Sequence, residues 1–123
     1  MQTSGNDLQG RRVLVVEDES MVAMLLEDNL ADIGCEVVDV AFRLNEALDK
    51  ANSASFDIAI LDVNLNGDYT FPVAAALRQR GMPFVFATGY DASSLPGAFR
   101  GTPVLRKPFQ RRDLEQALRA ALG

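Results

Sequence analysis

The chain has 123 residues, 48% hydrophobic and 24% charged, which fits a single globular domain. Its formal net charge of −5 offers no basic surface, so direct binding of nucleic acid is disfavoured. No apolar stretch approaches the ~20 residues of a membrane span, and the N-terminus lacks a signal-peptide pattern. Cys35 is the single cysteine and cannot form an internal disulfide. The sequence therefore predicts a cytoplasmic protein that does not enter a membrane.

Residues 1–10 are polar and contain glycine, which predicts a flexible N-terminal tail before a domain over residues 11–123. Five short apolar runs, typical of buried strands, lie at residues 13–16, 37–40, 58–61, 84–87 and 104–105. Amphipathic helical patterns follow four of them, around residues 22–33, 44–51, 73–80 and 114–122.

The connection after the fourth run differs from the others. Residues 91–100 contain Pro96 and Gly97, which are both unfavourable inside a helix. We therefore expect a weak or labile fourth helix there, at roughly residues 92–95.

Strand and helix alternate along the whole chain, which predicts an α/β fold with a parallel sheet covered on both faces. Right-handed crossovers leave a doubly wound five-stranded sheet of order 2-1-3-4-5 as the natural topology. In such a sheet, sites form at the carboxyl ends of the strands.

Polar side chains follow these predicted strand ends. They are Glu17 and Asp18 after strand one, Asp62 after strand three, Thr88 after strand four and Lys107 after strand five. Because strands one and three are neighbours in this order, three carboxylates meet in one crevice, which requires raised pKa values or a cation.

The chemistry available to this crevice is restricted, since the chain contains no histidine. Oxygen ligands alone indicate a hard ion, and a few carboxylates suit Mg²⁺ better than Ca²⁺. Asn64 offers a backbone carbonyl two residues after Asp62. With the charge of Lys107 and the hydroxyl of Thr88, this set suits a phosphoryl group, and Asp62 is the natural acceptor for an aspartyl phosphate.

Four short motifs in order resemble those of response-regulator receiver domains, over about residues 11–122. They are VLVVEDE with Glu17 and Asp18, ILDVNLNG with Asp62 and Asn64, FATG with Thr88, and RKPF with Lys107. The resemblance implies a CheY-like, flavodoxin-like (βα)5 fold that signals within a two-component system. Since the given sequence stops at Gly123, directly after the last predicted helix, we expect a stand-alone receiver.

The resemblance also implies roles for the site residues. Asp62 is the phosphoacceptor for a phosphoryl group from the phosphohistidine of a histidine kinase. Asp18, Asp62 and the Asn64 carbonyl bind Mg²⁺, and Glu17 acts through a water on the metal. Thr88 and Lys107 hold the phosphoryl oxygens. Such a domain catalyses its own phosphorylation and dephosphorylation without being a conventional turnover enzyme. It acts through an unknown downstream protein, or as a phosphate sink or relay.

The sequence Phe86-Ala87-Thr88-Gly89-Tyr90 resembles the FAT GUY subset of receivers, which often pair with kinases of the HWE or HisKA2 type. One position departs from the receiver pattern: Val104 stands three residues before Lys107, where receivers usually carry a switching Tyr or Phe. Our substitute hypothesis is that residues 91–100 loosen or order on phosphorylation, with Tyr90 as a participant.

Three other functions share parts of this pattern. A haloacid-dehalogenase-type phosphatase needs a second Asp where this chain has Asn64. A flavodoxin-like electron carrier needs a hydroxyl-rich phosphate loop where this chain has EDES, from Glu17 to Ser20. The remaining alternative is a pseudo-receiver, a binding module that signals without phosphorylation.

Overall fold

The computed structural model describes residues 7–90 and 92–123. Within them lie seven strands: β1 (Arg12–Val16), β2 (Glu36–Ala41), β3 (Ile58–Asp62), β4 (Asn64–Leu65), β5 (Asp68–Tyr69), β6 (Phe84–Thr88) and β7 (Val104–Arg106). Four α-helices accompany them: α1 (Ser20–Ile33), α2 (Leu44–Ser53), α3 (Phe71–Gln79) and α4 (Arg111–Leu122).

Five of the strands form one parallel sheet in the order β2-β1-β3-β6-β7. Counted along the chain without the short strands β4 and β5, this order is 2-1-3-4-5. The predicted doubly wound sheet is therefore confirmed. The strand β1 lies between β2 and β3, so the residues that follow β1 and β3 emerge side by side at the carboxyl edge.

Alternating residues of β1 pack into two apolar clusters, one on each face of the sheet. Val13 and Val15 belong to an apolar cluster with Leu26 of α1 and Leu114 of α4. Leu14 and Val16 of the same strand belong to a second cluster that includes residues of α2 and α3. Because successive side chains of a strand point to opposite faces, one strand contributes to both cores.

The segment between β6 and β7 contains two short 3₁₀ turns, Ala92–Ser94 and Gly97–Phe99, in its described part. Leu95 and Phe99 anchor it in the core cluster of α2 and α3. Pro96 extends the backbone between the turns (φ −55°, ψ 151°), which agrees with the predicted weakness of a fourth helix. Asp91, the first residue of the segment in our switching hypothesis, lies outside the described residues.

A small antiparallel hairpin follows β3, formed by β4 and β5. Its two turn residues, Asn66 (φ 52°) and Gly67 (φ 95°), both have the positive φ that a tight two-residue hairpin needs. The hairpin places Tyr69 directly opposite Asn64 and leads at once into α3.

Residues 1–6 of the predicted tail lie outside the described residues, and among residues 7–10 only Leu8 is buried. Leu8 is buried in the cluster of α1 and α4, and the Cys35 thiol donates to its carbonyl oxygen at 3.3 Å. Asp7 forms an ion pair with Arg119 of α4 at 3.0 Å. The packed part of the chain thus begins before Arg11. Among the described residues, every helix is too short or too polar to span a bilayer.

Candidate functional site

Three carboxylates meet at the carboxyl edge of the sheet. Glu17 and Asp18 directly follow β1, and Asp62 is the last residue of β3. One oxygen from each carboxylate lies within 4.8 Å of the other two. Glu17 and Asp62 are buried, whereas Asp18 is half-buried. The structure therefore brings together the three acids that the sequence placed in one crevice.

Lys107, which follows β7, reaches across the edge to this group. Its Nζ lies 2.8 Å from Oε1 of Glu17 and 3.3 Å from Oδ2 of Asp62. Glu17 and Lys107 are 90 positions apart in the chain, so only the sheet topology makes this contact possible. The ammonium group neutralises part of the charge of two carboxylates at once.

The buried position of these groups changes their protonation. Burial raises the pKa of Glu17 to about 7, against the lowering effect of its hydrogen bonds to Lys107 and the Glu19 amide. Burial also raises the pKa of Asp62, although the positive charge of Lys107 opposes the shift. Burial alone would lower the pKa of Lys107, but its contacts with Glu17 and Asp62 raise it. The site therefore holds more negative charge than its own lysine stabilises.

Backbone amides orient each of the three carboxylates. The Glu19 amide donates to Oε2 of Glu17 at 3.1 Å, and the Asn66 amide donates to Oδ2 of Asp18 at 3.0 Å. The Asn64 amide approaches Oδ1 of Asp62 at 3.5 Å. These contacts fix one oxygen of each acid and tie the hairpin turn to the loop after β1.

Thr88 ends β6, the strand next to β3, and is buried. Its Oγ1 accepts a hydrogen bond from the Tyr90 amide at 3.1 Å. Because that contact uses a lone pair of the hydroxyl, its proton is left to donate elsewhere. Asn64 is exposed beside the site, and its side-chain oxygen accepts from the Gly67 amide at 2.8 Å, which closes the hairpin turn.

A cleft of about 780 Å³ opens from Asp62 between the hairpin and the segment after β6. Asp62 and Thr88 contribute its polar wall. Its apolar wall contains Tyr69 and Phe71 on one side and Tyr90 and Pro96 on the other. The phosphoacceptor predicted from the sequence is thus accessible from this cleft.

Two residues of this region were not predicted. Thr70 is fully buried, and its hydroxyl donates to the main-chain oxygen of Asp62 at 2.6 Å, which holds the backbone of the acid. Tyr69 stands across the hairpin from Asn64. The available signal was the Asn66-Gly67 pair, a strong hairpin turn that brings the residues after it back towards Asp62.

The residues present suit a hard divalent cation. All three potential ligand atoms are carboxylate oxygens, the chemistry that Mg²⁺ prefers. Burial without enough compensating positive charge raises the pKa of Glu17 and Asp62, and a bound cation would reverse that effect.

Val104, at the position where receivers usually carry an aromatic residue, lies opposite Phe86 in the sheet register and packs on the core cluster of α2 and α3. The aromatic side chains near it come from other elements. Phe71, Phe84 and Phe99 each lie with their ring centroid within 6 Å of that of Phe86.

Comparisons of this chain with known proteins agree on one family. The family described as the response regulator receiver domain matches residues 13–119. The sensory transduction protein LytR of Staphylococcus haemolyticus (strain JCSC1435) is 30% identical over 112 residues, which cover 87% of this chain and 43% of LytR. This chain therefore spans less than half the length of that relative.

Two solved structures share the fold over nearly all of the chain. The solution structure of SdrG from Sphingomonas melonis Fr1 has a TM-score of 0.82 and 42% identity, covering 95% of this chain and 99% of SdrG. The chemotaxis response regulator CheY4 of Vibrio cholerae has a TM-score of 0.78 and 30% identity, covering 93% of this chain and 100% of CheY4.

Proposed function

Because the chain belongs to the response regulator receiver domain family, we propose that Asp62 accepts a phosphoryl group from the phosphohistidine of a histidine kinase, with Mg²⁺ as cofactor. The observation that carries this proposal is the arrangement around Asp62. Its carboxylate lies within 4.8 Å of two further acids and 3.3 Å from the Lys107 ammonium, at the mouth of an open cleft.

In the proposed reaction, a carboxylate oxygen of Asp62 forms a bond to phosphorus as the bond from phosphorus to the donor imidazole nitrogen breaks. The electron pair of the broken bond stays on the imidazole. The Asn64 amide near Oδ1 and the Thr70 hydroxyl on the Asp62 carbonyl hold the attacking group in place. Such positioning contributes much of the catalysis in phosphoryl transfer.

The remaining residues receive the new charge. The Lys107 ammonium is 3.3 Å from Oδ2 of Asp62 and can follow the phosphoryl oxygens that arrive there. The Thr88 hydroxyl keeps its contact with the Tyr90 amide while it donates its proton to a phosphoryl oxygen. Asp18, Asp62 and the backbone carbonyl of Asn64 would hold Mg²⁺, with Glu17 acting through water. The bound Mg²⁺ would neutralise negative charge on the transferred group.

The proposal also covers dephosphorylation, the partner proteins and the conformational response. Slow hydrolysis of the aspartyl phosphate resets the domain in the cytoplasm, and the phosphorylated form contacts a downstream protein or passes the phosphoryl group on. The residues Phe86 to Tyr90 favour a kinase of the HWE or HisKA2 type. We also propose that residues 91–100 loosen or order when Asp62 is phosphorylated. This is supported by the ring of Phe99, whose centroid lies within 6 Å of that of Phe86 in the strand that ends at Thr88.

The test is intact mass spectrometry after incubation with Mg²⁺ and acetyl phosphate. We expect one added phosphoryl group, which is absent in Asp62→Asn and absent when a chelator replaces Mg²⁺. Asp28→Asn, an exposed acid on α1, is the matched control and should be phosphorylated like the unchanged chain. Lys107→Ala should still bind Mg²⁺ but show impaired signalling to the downstream protein.

The alternative, a pseudo-receiver that binds partners without phosphorylation, makes a different prediction. It gains no mass with acetyl phosphate or with a phosphorylated kinase, and its partner binding is the same for Asp62→Asn as for the unchanged chain.

A further inference from the structure

Three aromatic rings stack in a row from the cleft into the core. Tyr69 lies on Phe71 with a centroid distance of 5.4 Å and an angle of 11°, and Phe71 lies on Phe99 at 5.6 Å and 16°. The guanidinium of Arg78 covers the Phe99 ring at 4.7 Å from its centroid. The inner end of the row is thus buried and held, whereas Tyr69 at the outer end is 59% exposed.

The exposed ring of Tyr69 lies in the same part of the molecule as Asp62. Tyr69 pairs with Asn64 across the hairpin, two residues after Asp62, and both Tyr69 and Asp62 line the same cleft. Phe71 stacks on one face of the Tyr69 ring and leaves the other face free of Phe71. Because this stacking holds the Tyr69 ring in place, little conformational entropy is lost when a ligand binds to it.

The chemistry of transfer determines what occupies the cleft. In phosphoryl transfer the attacking and leaving atoms lie roughly in line through phosphorus. The group that leaves must therefore depart on the side of the phosphoryl group away from Asp62, towards the open cleft. For a phosphohistidine donor that group is a flat aromatic imidazole.

The geometry points to Tyr69 as a specificity-determining residue that binds the donor's imidazole ring, held in place by the positioning residue Phe71. This inference rests on the proposed function of Asp62. A donor imidazole protonated on its second nitrogen leaves as neutral imidazole once the phosphorus–nitrogen bond breaks, so no other reactant is needed. While it is protonated, the ring is also attracted to the electron-rich face of the tyrosine.

Two small phosphodonors separate this role from the general reactivity of Asp62. Phosphoimidazole has the aromatic leaving group, and acetyl phosphate lacks it. The second-order rate constants of Mg²⁺-dependent phosphorylation are measured for both donors by mass spectrometry. The variants are Tyr69→Ala, Tyr69→Phe, which keeps the ring, and Phe42→Ala, an exposed aromatic on the loop after β2.

We expect Tyr69→Ala to lower the ratio of the phosphoimidazole to the acetyl phosphate rate constant by about three- to tenfold, the range of one aromatic contact. Tyr69→Phe should restore the ratio, and Phe42→Ala should leave it unchanged. The inference is overturned if Tyr69→Ala leaves the ratio unchanged, whether both rates stay the same or both fall together. Failure of both donors and of a phosphorylated histidine kinase to modify the unchanged chain would instead refute the proposed function, and the inference with it.

Discussion

Replacing Asp62 by Asn should stabilise the fold when no divalent cation is present. With an effective dielectric constant of about 20, a neighbouring carboxylate within 4.8 Å costs Asp62 on the order of 3.5 kcal/mol, and Lys107 at 3.3 Å contributes about 5 kcal/mol of attraction. Two carboxylates surround Asp62, but a pKa of about 7 leaves Glu17 roughly half protonated near neutral pH. Repulsion and attraction therefore nearly cancel.

What remains is the cost of burying the Asp62 carboxylate, whose residue is only 8% exposed. A buried ion loses several kcal/mol of solvation, and the neutral amide of Asn avoids most of that loss. We expect Asp62→Asn to raise the free energy of unfolding by about 2 kcal/mol, equivalent to an increase in Tm on the order of 5–10 °C.

The assay is urea denaturation in chelator at neutral pH, followed by circular dichroism and repeated with saturating Mg²⁺. Asp28→Asn removes the same charge from an exposed site and should change stability by less than about 0.5 kcal/mol. Mg²⁺ at one hundred times its dissociation constant should stabilise the unchanged chain by about 2.7 kcal/mol and the Asp62→Asn variant by less. A loss of stability for Asp62→Asn in chelator would refute this account of the site.

Three further predictions concern single groups. The pKa of Glu17 is about 7 in the folded chain against an ordinary 4.5, so between these pH values the folded chain binds more protons than the unfolded chain. Its free energy of unfolding should therefore fall as pH rises through that window, by on the order of 3 kcal/mol. Glu17→Gln should flatten this part of a pH series of urea denaturation in chelator, and equal slopes for the variant and the unchanged chain would contradict the prediction. Thr70→Val removes the donor to the Asp62 carbonyl and should cost about 1–3 kcal/mol in the same assay, an unchanged midpoint being the contrary result. Burial raises the pKa of the Cys35 thiol, so alkylation by iodoacetamide should be much slower in the folded chain than in urea, and equal rates would show that the thiol is accessible.

The strands and their order could be predicted because their signal is local. The run over residues 58–61 is wholly apolar, and the observed strand β3 adds only Asp62 to it. Alternation with helical patterns then determined the order of the sheet. The family resemblance, based on motifs at four strand ends, is confirmed by the match over residues 13–119.

The hairpin could not be read from periodicity, since β4 and β5 have two residues each and no alternation can develop over that length. No pattern in the sequence predicted the stack of Tyr69, Phe71 and Phe99, because it joins residues from three separate elements. Its existence depends on where α3 places Phe71 relative to the segment after β6. For Lys107 and Glu17, the sequence predicted only that both lie at the same edge of the sheet. Their direct contact could not be predicted, because the spacing of residues in the chain does not determine side-chain geometry.

The burial of Leu8 has a practical consequence for where this domain is cut when it is produced for experiments. The family match begins at residue 13, yet the hydrophobic core already includes Leu8. A shortened chain that begins at Arg11 would leave a cavity between α1 and α4, and loss of a buried leucine costs about 2–5 kcal/mol. It would also remove the acceptor of the Cys35 thiol and one of the ion-pair partners of Arg119. A fragment chosen by family boundaries would therefore be less stable, and its Cys35 more reactive, for reasons unrelated to signalling.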